Sequence, residues 1–349
     1  MSCTLKWTFQ RVSRLSSRVR ILPPSIPNSL RLLSTTSTHT RRAYTPLKTL
    51  HDSSIEEFQN QCFKPEHPAV LHLPALRTLP ARHNWFAPTP SLSFLLNHEY
   101  FEPYADTPVP LELSSTNSQS EGGSNNDELQ FRRFQAPLWT FLDWARSSTT
   151  TPTTTPFRLY LAQCQLADLP HQLQNDIPTP EIVKNAGKGD IYDTNIWIGL
   201  PPTYTPLHQD PNPNLFVQLV GSKHVRLLPP DTGLKLFARV RSQLGKDAGR
   251  GAAVFRGDEM MQGRERELLE KAVWADDYAS SSEEGISVSG YEAVLNGGDA
   301  LFIPKGWWHS IKGVGEGITA SVSRFFLMCV ELALMETRST GGSGENQST

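Results

Sequence analysis

Apolar residues along this chain fall into short alternating runs cut by glycine and proline. Phe157-Arg158-Leu159-Tyr160-Leu161-Ala162 alternates. Asn195 to Gly199, Asn214 to Val220 and Lys223 to Leu228 follow in close succession. Residues i and i+2 of a strand share a face, so each run predicts a strand. Ala69 to Leu73, Phe131 to Phe134, Ala293 to Leu295, Ala300 to Ile303 and Ile318 to Leu327 add more. The turns between them fall at Lys64 to Pro68, Pro201 to Tyr204, Gly221-Ser222, Pro229-Pro230, Gly297 to Asp299 and Pro304 to Gly306. Short strands punctuated this way predict a mainly β sandwich or barrel.

Helical spacing is sparser. Ser54 can cap Ile55 to Phe58, with Glu57 three residues on. Ser91 to Leu95 reads as the start of a helix, and Pro137 opens another running to Trp144. Arg264 to Trp274 puts Leu268, Leu269 and Val273 on one face, while the rest of Thr232 to Gly290 has no clear period. Phe326 to Arg338 reads as a closing helix. Ser114 to Asp127 and Ser147 to Pro156 are polar runs that predict surface loops, and Asp276 to Gly285 an acidic one.

Composition changes this picture at the amino terminus. Asp52 is the first acidic residue, whereas Lys6, Arg11, Arg14, Arg18, Arg20, Arg31, Arg41, Arg42 and Lys48 precede it among many Ser and Thr. A basic, hydroxyl-rich, acid-free start predicts a mitochondrial presequence over residues 1–49 and a matrix location. Arg41-Arg42-Ala43-Tyr44 is the expected processing region. A plain basic tail and a nuclear address are the alternatives. The folded part is expected from Leu50, with residues 50–190 preceding a catalytic core at 191–338 and a loose tail at 339–349.

The formal net charge of −2 gives no indication of a nucleic-acid binder, and no stretch of eighteen apolar residues predicts a membrane span. Cys3, Cys62, Cys164 and Cys329 lie far apart with no CxxC, so they read as neither a disulfide framework nor a zinc ribbon. Cys164 and Cys329 read as small buried hydrophobes. Trp139, Trp144, Trp307 and Trp308 read mainly as packing, and His72, His171 and His224 have no partner pattern.

Candidate chemistry centres on His208-Gln209-Asp210. If this piece is extended, His208 and Asp210 point together, and His309 of Lys305-Gly306-Trp307-Trp308-His309 can add a third ligand. Two histidines and one carboxylate on one face of an ion leave open positions, the non-haem iron pattern. A His-x-Asp triplet also arises by chance, as a turn aspartate beside satisfied histidines. Lys223 strengthens the metal reading: pointed into a barrel, its ammonium would need an anion. Thr205 and Asn214 flank the triplet with short polar side chains.

Asn195-Ile-Trp-Ile-Gly199, Thr205-Pro-Leu-His-Gln-Asp210, Asn214-Leu-Phe-Val-Gln-Leu-Val-Gly-Ser-Lys223 and Gly298-Asp-Ala-Leu-Phe-Ile-Pro-Lys-Gly-Trp-Trp-His309 together resemble the JmjC, cupin-like family of iron(II)- and 2-oxoglutarate-dependent oxygenases. The nearest likeness is to its small asparaginyl-hydroxylase-like members. The resemblance covers roughly Phe58 to Phe326 and implies a double-stranded β-helix of the cupin or jelly-roll type with surrounding helices. It implies His208, Asp210 and His309 as iron ligands. It implies Lys223 and Thr205 on the distal carboxylate of 2-oxoglutarate, Asn214 near co-substrate and iron, and Tyr160 lining the pocket. Ser323 stands where the family often has asparagine. The implied reaction oxidises 2-oxoglutarate to succinate and carbon dioxide and hydroxylates a C–H bond, by resemblance on a protein side chain. A degenerate cupin scaffold, or an oxygenase of RNA or a small metabolite, are the alternatives. Val330 to Met335 is apolar enough for a homodimer contact.

Overall fold

The computed structural model describes residues 44–51, 54–116, 129–150, 157–187, 191–247, 257–275 and 289–326. Alternation is strongest in the second half, and there the two layers form. The eight strands are β9 (Ile191–Gly199), β10 (Thr203–Gln209), β11 (Asn214–Val220), β12 (Ser222–Leu228), β13 (Gly290–Asn296), β14 (Ala300–Ile303), β15 (Trp308–Val314) and β16 (Thr319–Phe326). They fall into two facing sheets, in the orders β14-β11-β16-β9 and β13-β12-β15-β10. Every pairing within these eight is antiparallel. This is a double-stranded β-helix, as expected from the sequence.

Earlier strands extend both layers: β1 (Tyr44–Pro46), β2 (Thr49–Leu50), β3 (Ala69–Leu71), β6 (Pro108–Thr116), β7 (Leu129–Pro137) and β8 (Phe157–Gln165). The larger sheet has nine strands, β2-β3-β14-β11-β16-β9-β8-β6-β7, and the smaller has five, β1-β13-β12-β15-β10. Strands β4 (Phe86–Pro88) and β5 (Phe94–Leu96) form a separate hairpin. All seven residues of β11 are buried because both of its faces are covered.

Three apolar cores result. Phe58, Trp85, Phe141, Leu173, Leu215 and Phe302 fill the layer between the larger sheet and the amino-terminal helices. Phe216, Val225, Leu227, Leu301 and Ile311 pack between the two sheets. Leu236, Phe237, Val240, Leu269 and Val273 bring helices Pro230–Gln243 and Gly263–Trp274 onto the outer face of the smaller sheet. Among the described residues no helix is long and apolar enough to cross a membrane.

Several expectations need correction. The fold includes Tyr44, ahead of Leu50, because β1 pairs in parallel with β13 and Tyr44 is buried under the Arg226 guanidinium at 4.3 Å. Ser91 to Leu95 is a turn into β5 and no helix. Thr89, Ser91 and Ser93 bond to one another's hydroxyls and Leu92 takes a positive φ, so local polar bonding displaces helix formation. The helix opened by Pro137 runs Leu138–Thr150, past the expected loop start, with Thr149 Oγ1 donating back to Ala145 O. Helix Pro230–Gln243 was not apparent from the pattern. Thr203 and Tyr204 belong to β10. Trp139 is 46% exposed, so it packs little, whereas Trp144, Trp307 and Trp308 are buried. The Ser54 cap forms as expected, accepting from Glu57 N at 3.2 Å. Most of Ser114 to Asp127, all of Asp276 to Gly285, Cys329, Val330 to Met335 and the closing helix and tail lie outside the described residues.

Candidate metal centre

Strands β10 and β15 run antiparallel, with His208 directly opposite His309. Thr205 pairs with Ile311, so three steps along β10 match two along β15. The extra residue is a bulge, and it places Thr205, His208 and His309 on one face. Ser310 Oγ donates to the Thr205 carbonyl at 2.9 Å, satisfying the backbone where the ladder is broken. The bulge therefore brings a histidine onto the inner face without breaking the layer.

His208, Asp210 and His309 offer ligand atoms that all lie within 4.8 Å of one another, and no other such group of three occurs among the described residues. His208 Nε2 is 3.8 Å from Asp210 Oδ1, and His309 Nε2 is 3.6 Å from Oδ2. Donors bonded to one ion at about 2.0–2.2 Å stand roughly 3–3.5 Å apart, so a small inward adjustment completes the set. The Nδ1 atoms of His208 and His309 lie 2.8 Å from Pro206 O and 3.3 Å from Trp307 O. Donation there keeps each Nε2 lone pair free for a metal. Burial, with His208 adding to it, pushes the His309 pKa down to about 4, so its imidazole is neutral at physiological pH, the ligand form. Asn214 Nδ2 donates to Asp210 Oδ2 at 3.0 Å and orients the carboxylate. The chemistry of this donor set fits a divalent ion with open coordination positions.

Lys223 faces the same interior from β12. It pairs with Gly313 where Leu227 pairs with His309, so the two lie on one face, four residues apart along the strand. Its side chain is buried, and Nζ donates to Ser321 Oγ at 2.7 Å and Tyr160 OH at 3.2 Å. Both acceptors are neutral hydroxyls. A buried ammonium with no carboxylate is costly, and burial pushes its pKa down to about 7. An anion brought beside Lys223 would offset that cost and favour its charged form. Burial also raises the Tyr160 hydroxyl, which stays protonated. Gly199 makes room for that ring: a Cβ there would sit 2.4 Å from Tyr160 Cδ2.

The anticipated residues therefore divide. His208, Asp210 and His309 converge; Lys223 and Tyr160 meet at the other end of the interior. Thr205 is half-buried between them on the shared face. Asn214 reaches Asp210. Ser323 is buried opposite Asn195 and Phe216, while the serine that touches Lys223 is Ser321. Ser321 and Trp197 were missed, although the i, i+2 alternation from Ser323 and from Asn195 puts them on the inner face. Trp197 lies 6.0 Å from the Tyr160 ring, and its indole nitrogen is buried without a partner. Beside Tyr160 opens a cavity of about 190 Å³ walled by Glu112, Arg158, Thr203, Tyr204 and Arg266.

Residues 55–331 match the model of the cupin-like domain. The chain belongs to the cupin-like family, in its JmjC branch. This cupin-like chain is 26% identical over 272 residues to the lysine-specific demethylase JMJ30 of Arabidopsis thaliana, covering 77% of this chain and 52% of that protein. It is 27% identical over 272 residues to Jumonji C domain-containing protein 5 of Drosophila melanogaster, covering 77% and 57%. Against lysine-specific demethylase 8 of Danio rerio the identity is 32% over 157 residues, covering 44% and 33%. The chain spans about half the length of the first two relatives. The JmjC family uses iron(II) and 2-oxoglutarate, and the His-Asp-His group is where this cupin-like chain would hold such a metal.

Proposed function

We propose that this chain is an iron(II)- and 2-oxoglutarate-dependent dioxygenase that hydroxylates a protein side chain in the mitochondrial matrix. The observation that carries the reading is one shared interior with a three-ligand metal face at one end and the Lys223 ammonium at the other. A ferrous ion held there supplies the redox chemistry by which 2-oxoglutarate and dioxygen give succinate, carbon dioxide and one oxygen atom inserted into a C–H bond.

The rest is the work of the chain's own side chains. His208, Asp210 and His309 would hold the ion and leave coordination positions for co-substrate and dioxygen. Asn214 keeps the carboxylate turned toward it. Lys223 and Thr205 take the distal carboxylate of 2-oxoglutarate, so the keto acid enters in one direction only. Tyr160, Phe216 and Trp197 wall the pocket with apolar surface that limits water. A protein side chain as substrate rests on the resemblance to the small asparaginyl-hydroxylase-like members. Delivered to an N-methyl group, the same oxidation gives a hydroxymethyl amine that releases formaldehyde. The names of the JMJ30 and demethylase 8 relatives favour that variant as the second reading. The location rests on the acid-free basic leader.

The test is iron-dependent succinate release from 2-oxoglutarate by the purified chain, combined with mass spectrometry of matrix proteins from cells carrying His208→Ala. The expected result is one peptide that loses a single oxygen mass in the variant, without formaldehyde release. A metal-loaded protein that binds no 2-oxoglutarate would instead be a cupin scaffold.

A further inference from the structure

Lys223 leaves the smaller sheet on β12 and ends against the larger one. Its Nζ lies 2.7 Å from Ser321 Oγ on β16 and 3.2 Å from Tyr160 OH on β8. The Phe216 and Tyr160 rings lie 5.2 and 5.9 Å from it. Ser321 is fully buried and stands between Gln218 and Trp197 in its sheet. Gln218 donates its amide nitrogen to Val220 O and Thr319 Oγ1, and the cross-sheet hydrogen bond from the lysine goes to Ser321.

A lysine is a point charge on a flexible four-carbon stem. Left free, its ammonium could meet a carboxylate at several depths. Tied to Ser321, it is drawn back toward β16, and its separation from His208, Asp210 and His309 is set. We propose that Ser321 is a positioning and specificity-determining residue, which fixes the chain length of the keto diacid this site accepts by holding Lys223 at one depth. The inference rests on the co-substrate reading above. Tyr160 cannot substitute for Ser321, because its own ring is held against Gly199 and its hydroxyl is the longer contact.

The experiment measures binding and needs no turnover. The full chain and Ser321→Ala, both loaded with manganese(II), are titrated with 2-oxoglutarate, with oxaloacetate as the homologue one carbon shorter and with 2-oxoadipate as the homologue one carbon longer. Calorimetry gives the affinities and thermal melting checks the fold. The unaltered chain is expected to prefer 2-oxoglutarate over both homologues. Ser321→Ala is expected to bind 2-oxoglutarate about tenfold more weakly, the effect of one charge-assisted hydrogen bond. Its preference over the homologues should narrow, and Ser321→Thr, which keeps the hydroxyl, should restore it. Equal weakening toward all three acids, or no weakening, overturns the assignment to Ser321 and leaves the oxygenase reading intact. Failure of the unaltered, manganese-loaded chain to bind any of the three overturns both.

Discussion

Lys223 carries its ammonium into a pocket whose acceptors are Ser321 and Tyr160, and burial lowers its pKa from 10.5 to about 7. Two opposite pH trends follow. The distal carboxylate of 2-oxoglutarate pairs only with the charged lysine, so affinity should hold below about pH 7 and fall by roughly tenfold per pH unit above it. Calorimetry across that range would show the slope. Stability of the protein without co-substrate should move the other way. Folding penalises the ammonium, so the melting temperature should rise as pH climbs from about 7 toward 10.5. Lys223→Met should remove both trends, keep metal affinity and abolish 2-oxoglutarate binding. At the other end, Asn214 donates to Asp210. Asn214→Ala should weaken metal binding about 10- to 100-fold, read by competition with a chromogenic chelator.

Helix Pro230–Gln243 presses on the strand that begins with Trp308 and carries His309. Gly233 is the closest approach: a Cβ there would lie 2.2 Å from Trp308 Cγ. Trp308 is pinned in turn by Phe237, its ring 5.2 Å away. Gly233→Ala should cost about 1–3 kcal/mol by overpacking, measured by denaturant unfolding. Because His309 follows Trp308, metal affinity should fall with it. The neighbouring helix Gly263–Trp274 is tied to the first by buried Glu265, which accepts from Arg241 at 3.1 Å and Lys246 at 3.2 Å. Trp274 reaches Ser310 Oγ at 2.9 Å, linking that helix to the bulge that turns His208 inward.

Across the whole molecule, the layers close only when distant segments arrive. β1 joins the edge of the smaller sheet, and β2 pairs with β3 at the edge of the larger. A chain starting at Tyr44 should fold as the full chain does, whereas one starting at Leu50 loses β1 and uncovers Arg226. Its melting temperature should drop by several degrees in calorimetry, at about 2–4 °C for each kcal/mol lost. The boundary also constrains any import processing. A cut within Arg41-Arg42-Ala43-Tyr44 up to Ala43 leaves β1 whole, whereas one at Lys48 would not. Measuring the mature amino terminus from isolated mitochondria checks this, and recovery of the chain outside mitochondria would end the matrix proposal.

Local sequence determined many of the strands, among them β8, β9, β11, β12, β14 and β16, together with the cap at Ser54 and the candidate metal donors, because strand alternation and ligand chemistry are properties of neighbouring residues. Asn214 to Val220 could be read as a strand, and His208 with Asp210 as a pair, before any fold was known. The sequence did not reveal helix Pro230–Gln243, whose apolar face becomes evident only against Trp308 and Leu228. Nor did it show that β1 extends the smaller sheet, since parallel pairing with a strand some 245 residues away leaves no local trace. Ser321 and Ser323 share a face of β16, and choosing between them required knowing how far along that strand the Lys223 side chain arrives. That choice follows from how the two sheets face each other, and the meeting of His208 with His309 from the register of β10 on β15; the whole packed core decides both.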